Sequence, residues 1–314
     1  MRNALYLCAL SALLFACGPS MRGDGLGGGD DDGSGPDAGS GTGNGTDEGR
    51  QCDKMDIVFV VDNSGSMAEE QTNLGTNFPM FASLLEAYTV NEGQPVDFRV
   101  ALTTTGRDLA YTIDTGLGAP LPFSEQGENG EFQNNCSNTK RWLDRTDATM
   151  AETLACRANV GTSGPGFEMP LLMSKWALDE RAADTNAGFL RDDALLAIVI
   201  ITDEDDVSTT QNNFTIGVTS QPPIDWNPQD QVDFLDTLKG NRTRWATAVI
   251  AGEGNCMSSF GDAADGVRLK QFVDLANGNG STQAVFSSIC DGDLTIGLQE
   301  ALDTFQAACG SIIF

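Results

Sequence analysis

The chain has 314 residues, of which 45 are acidic and 18 basic, giving a formal net charge of -27, and it contains no histidine. That balance argues against nucleic acid as a partner, because binding it needs clustered Lys and Arg to displace counterions. The missing imidazole removes the commonest base of hydrolase chemistry, and eight cysteines in so acidic a chain point to an oxidising compartment with disulfides.

Residues 1–16 join Arg2 to an apolar run, ALYLCALSALLFA, that is too short to span a bilayer and has the length of a signal-peptide core. Leu14-Phe15-Ala16-Cys17 resembles a bacterial lipobox, which implies that Cys17 becomes the lipid-modified first residue of the mature protein. Gly18 follows it instead of Asp, so the resemblance implies the outer membrane or cell surface as the address, not inner-membrane retention. Residues 17–51 are rich in Gly, Asp and Ser with almost nothing to bury, and are expected to form a disordered tether with a reach of about 30 Å. Arg22-Gly23-Asp24 and the acidic stretch 30–37 read as tether composition.

The domain proper is expected over residues 52–314. In KMDIVFVVDNSGSM, residues 57–61 are β-branched or aromatic without polar alternation, as a central parallel strand covered on both faces requires. Asp62 closes the strand at its exposed end, Asn63 and Gly65 turn the chain, and Ser66 with Glu69 predicts a capping box opening a helix at about Met67. Asp62, Ser64 and Ser66 then crowd one turn, a carboxylate and two hydroxyls suited to a hard cation such as Mg²⁺.

Residues 68–88 read as a helix interrupted or bent near Pro79, 97–105 as a second strand, and 109–113 as a short antiparallel edge strand. An irregular insertion over 114–160 holds Cys136 and Cys156. Gly161-Thr162-Ser163-Gly164 precedes a helical pattern over 167–183. Residues 194–202, ALLAIVIIT, form the most apolar strand and end at Asp203, so two buried strands each deliver an aspartate to the carboxyl edge of an open sheet. The following acids Glu204, Asp205 and Asp206 either raise local cation affinity or are solvated. A second insertion spans 208–230, after which helices over 231–239, 267–276 and 294–307 alternate with strands over 244–251 and 283–286. The alternation predicts right-handed crossovers.

D-x-S-x-S at Asp62, Ser64 and Ser66, the Thr162 loop, and TDEDD at residues 202–206 occur in an order that resembles the von Willebrand factor type A (VWA) family and its metal-ion-dependent adhesion site (MIDAS), although Glu204 stands where that family usually has Gly. The resemblance implies an α/β fold with a doubly wound, mostly parallel six-stranded sheet and helices on both faces. It implies metal ligation by Asp62, Ser64, Ser66, Thr162 (with Ser163 the competitor) and Asp203, the last through a metal-bound water. The cation would be Mg²⁺, with Mn²⁺ or Ca²⁺ as alternatives.

The implied function is a non-enzymatic, lipid-anchored envelope protein that binds a protein or other carboxylate-bearing ligand through the cation. The alternatives are a structural envelope protein with a vestigial site, and a metal-assisted hydrolase. If the termini lie together as in that fold, Cys52 pairs with Cys309. Cys136 pairs with Cys156 inside one insertion, and Cys256 with Cys290 after neighbouring strands.

Overall fold

β1 (Lys54–Val61) is buried along its length from Met55 onward. Ile57, Phe59 and Val61 enter one hydrophobic core, while Val58 and Val60 enter the other. A period of two facing two apolar layers explains why the strand carries no polar alternation.

The computed structural model describes residues 52–90, 93–258 and 261–312, all within one unit, Asp47–Phe314. The signal-peptide, lipobox and tether expectations, Cys17 included, lie outside the described residues.

β1 pairs in parallel with β2 (Asp97–Thr104) on one side, Ile57 opposite Val100. Two small strands, β3 (Leu109–Asp114) and β4 (Leu121–Glu125), and then β5 (Leu143–Asp144) follow in the chain. On its other side β1 pairs in parallel with β6 (Leu195–Ile201), Ile57 opposite Ala197. After β7 (Phe214–Gly217) come β8 (Trp245–Ala251), a short hairpin of β9 (Cys256–Ser258) and β10 (Gly261–Ala263), and β11 (Ala284–Ser288). The six-stranded sheet has the order β11-β8-β6-β1-β2-β5, with only β5 antiparallel. Counted along the chain this is the doubly wound order, and it reverses direction between β1 and β6.

Helices α1 (Ala68–Ala87), α2 (Met150–Ala158) and α6 (Leu294–Ser311) cover the face that receives Phe59, where Phe59, Phe78 and Phe81 meet with ring centroids 5.0 and 5.1 Å from Phe59. Helices α3 (Pro170–Leu178), α4 (Pro228–Lys239) and α5 (Val267–Ala276) cover the other. No described helix is long and apolar enough to cross a membrane.

Three local expectations are corrected. Residues 109–113 do form a strand, but it belongs to a separate three-stranded sheet, β4-β3-β7, drawn from both insertions. Tyr111 stacks there on Phe123 and Phe214 at 5.6 and 5.8 Å, so aromatic stacking holds β3 away from the main sheet. The antiparallel edge strand of the main sheet is β5. Helix α1 runs through Pro79 without interruption, and its start lacks the predicted capping box because the Ser66 hydroxyl is engaged elsewhere.

All three expected disulfides are formed: Cys52–Cys309, Cys136–Cys156 and Cys256–Cys290. At the amino end of β1 the fully buried Asp56 carboxylate accepts from Arg191 Nε at 2.8 Å and from the Arg191 backbone N–H at 2.7 Å.

Candidate metal centre

Because the strand order reverses between β1 and β6, the crossovers leaving these two strands diverge and open a crevice at their carboxyl ends. Asp62 and Asp203 stand on its two sides. The Asp62 backbone N–H donates to Ile201 O at 2.9 Å, which extends the ladder to the lip of the crevice.

Asp62 is fully buried, not exposed as its strand-end position suggested. Its Oδ1 accepts from the Ser64 backbone N–H at 2.8 Å, closing the tight turn, and from Thr105 Oγ1 at 3.5 Å. Its Oδ2 accepts from Thr202 Oγ1 at 2.6 Å, and its carbonyl accepts from Gln71 Nε2 at 2.9 Å. The Ser64 and Ser66 hydroxyls share a hydrogen bond of 2.9 Å, and Ser66 Oγ donates to Asp203 Oδ1 at 3.3 Å. Asp62, Ser64, Ser66 and Asp203 are therefore brought together.

Thr162 and Ser163 are exposed on the loop above and make no hydrogen bond to these four residues. The loop itself lies against the turn, for the Gly164 N–H donates to Asn63 O at 2.7 Å, and a Cβ at Gly164 would fall 2.1 Å from Asn63 Oδ1. Only glycine permits that approach.

The electrostatics favour a cation. Burial raises the Asp62 carboxyl above its ordinary range against the hydrogen bonds from Thr202 and Ser64. Burial, and then the Asp62 charge, push Asp203 up to about 7. Glu168, which the sequence reading passed over, is raised by burial and then by the charges of Asp62 and Glu204. Among the described residues no lysine or arginine forms an ion pair with any of the three, and none stands among the main influences on them. Among the described residues no three His, Cys, Asp or Glu side chains gather as a metal-binding group, so a cation here draws on hydroxyls and retained water as well. The donors are oxygen only, which fits Mg²⁺ or Mn²⁺ better than a thiol- or imidazole-seeking metal.

Thr105 and Thr202 were also missed as partners of Asp62. Their signal was faint: each is a threonine at the end of an apolar strand, where β-branched residues are common in any case.

Of the remaining acids of TDEDD, Glu204 stays half-buried at the edge of the centre, while Asp205 and Asp206 are tied into the protein. The Asp205 carboxylate accepts from the Arg268 backbone N–H at 3.0 Å at the start of α5. Asp206 is fully buried and accepts from the Leu171 N–H at 3.2 Å and from Arg268 Nη2 at 3.3 Å.

A doubly wound sheet carrying a D-x-S-x-S turn at its switch point, met there by the aspartate of the neighbouring strand, decides the architecture. The fold is that of a VWA domain.

No protein-family model and no curated protein matches the chain. Several solved structures are similar at low identity. Proximal thread matrix protein 1 from the mussel byssus is 12% identical, with 82% of this chain and 49% of that one covered and a TM-score of 0.41. The pilus adhesin SpaC from Lactobacillus rhamnosus GG is 13% identical over 82% of this chain and 31% of its own, with a TM-score of 0.43. The manganese-loaded TRAP protein of Plasmodium vivax is 14% identical over 84% and 77%, with a TM-score of 0.39. This chain spans about half of the mussel protein and about a third of the adhesin. The assignment of the VWA fold rests on the strand order and the turn of this chain itself.

Beside the loop carrying Thr162 lies an open cleft of about 700 Å³, lined among others by Asp108, Ser124, Glu125, Ser163, Pro165 and Asn212. Its walls come from the 163–165 loop and from β3 and β4 of the three-stranded sheet, and none of the four gathered residues lines it.

Proposed function

We propose that this VWA domain binds a divalent cation, Mg²⁺ or Mn²⁺, through Asp62, Ser64, Ser66 and Asp203, and that the cation in turn captures a carboxylate of a protein or other acidic ligand. One observation carries the reading: two buried aspartates from adjacent strands share a hydroxyl network at the switch point, and among the described residues no basic side chain pairs with either. Burying uncompensated carboxylates is costly, and a cation is the partner their oxygen-only surroundings suit.

Thr162, 163 and the cleft beside them belong to the ligand side of the site in this reading, with the insertions supplying specificity. Anchoring at Cys17 would hold the domain at the bacterial outer membrane or cell surface.

Calorimetric titration of residues 52–314 with MgCl₂ and MnCl₂ tests the cation. Saturable binding at or below millimolar concentration is expected, and its absence would reduce the protein to its fold. Mass spectrometry of the mature N-terminus tests the anchor: diacylglycerol on Cys17 is expected, and an unmodified peptide or cleavage elsewhere would remove the envelope assignment.

A further inference from the structure

Glu168 is 1% exposed, and neither of its carboxyl oxygens has a hydrogen-bond donor. Its main chain is pinned from both sides of the metal centre: the Val207 N–H donates to Glu168 O at 2.8 Å, and the next residue, Met169, donates to Thr105 O at 3.1 Å. Thr105 in turn reaches Asp62 Oδ1. The side chain does not cap α3, since that helix starts at Pro170 with Met169 as its cap and no side-chain cap bond. The charged groups acting on Glu168 are Asp62 and Glu204, both acidic, and the Glu204 side chain also comes within hydrogen-bonding reach of it.

A carboxylate with two orphaned oxygens, closed off from solvent and facing other acids, has no reason to persist in a metal-free core. Hydrophobic residues or a glutamine would pack there at lower cost. A proton shared with Glu204 would satisfy one oxygen at most; in the ionised form that a cation favours, the donors must come from a group absent from the protein chain. Mg²⁺ and Mn²⁺ keep several of their waters when bound to protein, and each such water presents strongly polarised O–H donors.

We infer that Glu168 is an additional anionic member of the cation site, accepting hydrogen bonds from the waters the cation retains. The inference rests on the cation-binding reading above. It changes the charge balance around the site: besides Asp62 and Asp203, a third carboxylate then acts on the ion from its outer shell, through the retained waters. The cation is held more firmly than two aspartates and neutral hydroxyls would hold it, and an incoming ligand carboxylate must compete with Glu168 for the same waters.

The test uses the isosteric Glu168→Gln, with Glu168→Met as a second variant that keeps the length and removes the acceptor. Cation affinity is measured by calorimetry with MnCl₂, and thermal unfolding is followed with and without EDTA. Removing outer-shell partners of a metal typically weakens affinity 10–100-fold. A loss of about tenfold or more is expected in both variants, larger in Glu168→Met, with the EDTA melting temperature unchanged or raised because a buried charge has gone. Manganese affinity within about twofold of wild type in both variants would overturn the role of Glu168 while leaving the cation site standing. A lower melting temperature in EDTA with unchanged affinity would make Glu168 a packing residue and equally overturn the inference. Absence of binding by the wild-type protein would instead overturn the cation reading and this inference with it.

Discussion

The Thr202 hydroxyl donates to Asp62 Oδ2 at 2.6 Å, so the residue that ends one strand of the switch point fixes the carboxylate that ends the other. Asp62 is thereby oriented before any cation arrives, and the Ser64 N–H holds its second oxygen. Asp62→Asn keeps the size of the group and removes its charge. Titration calorimetry should show no Mg²⁺ or Mn²⁺ binding at millimolar concentration, with the melting temperature in EDTA unchanged or raised. Asp62→Ala should also lose binding, but at a cost in stability of about 1–3 kcal/mol, because the Thr202 hydroxyl and the Ser64 N–H lose a buried acceptor. Undiminished cation binding in Asp62→Asn would sink the centre.

Thr105 and Thr162 can be separated by the same titration. Thr105 is buried and touches Asp62, whereas Thr162 is exposed and touches none of the four gathered residues. Thr105→Val, which keeps the shape and removes the hydroxyl, should weaken cation binding by about 1 kcal/mol. Thr162→Ala should weaken it less. The reverse ranking would mean that the 161–164 loop moves onto the cation when it binds.

At the opposite end of β1, Arg191 holds a carboxylate with no exposure at all. Arg191→Met should destabilise the domain by about 3–5 kcal/mol in urea unfolding, since it strands a buried charge. The double variant Arg191→Met/Asp56→Leu should recover much of that loss. Equal stability of single and double variants would show that the pair is not coupled.

Glu70 gives the metal-free domain a pH dependence. It is buried in the first turn of α1 beneath the β9–β10 hairpin, and burial pushes its carboxyl up to about 7 from 4.5. A Cβ on Gly261 would collide with its Oε1, and Gly261 sits at φ +136°, so the hairpin closes directly over the acid. The folded state binds the proton more tightly than the unfolded chain does. The stability it contributes is therefore fully present below about pH 4.5 and is lost as pH rises through about 7. In EDTA, Glu70→Gln should make the fall in stability between those limits shallower, Asp203 still contributing to it, and raise stability at pH 8 by on the order of 2 kcal/mol. An identical pH profile in the variant would count against a buried, titrating Glu70.

The sequence made the frame legible because β1 and β6 are uninterrupted apolar runs that end in aspartate, and such runs have few alternatives to a doubly covered parallel strand. Two cysteine pairs followed once that frame brought the chain ends and adjacent strand ends together, and the third from its two cysteines sharing one insertion. Residues whose role depends on a crossing between distant segments were not legible. Glu168 reads as one acid in an otherwise apolar stretch, and nothing local reveals that its carboxyl feels the charge of Asp62, more than a hundred residues earlier. Ser66 misled for the opposite reason: its spacing to Glu69 suits a helix cap, but Ser64 and Asp203 compete for the same hydroxyl and win. The strand over residues 109–113 was found, yet it pairs with strands from the two insertions, where Tyr111 also stacks on Phe123 and Phe214, and not with β2.

β1 starts two residues after Cys52 and ends against Asp62, so it runs straight from the entrance of the domain to the crevice. A mechanical pull between the N-terminal side and anything held at Asp62 would act along that strand's own axis. Its hydrogen bonds to β2 and β6 lie across the direction of pull on both flanks, so they would have to be sheared together instead of unzipped one at a time. Cys309 offers the load a covalent second path, from Cys52 directly into α6.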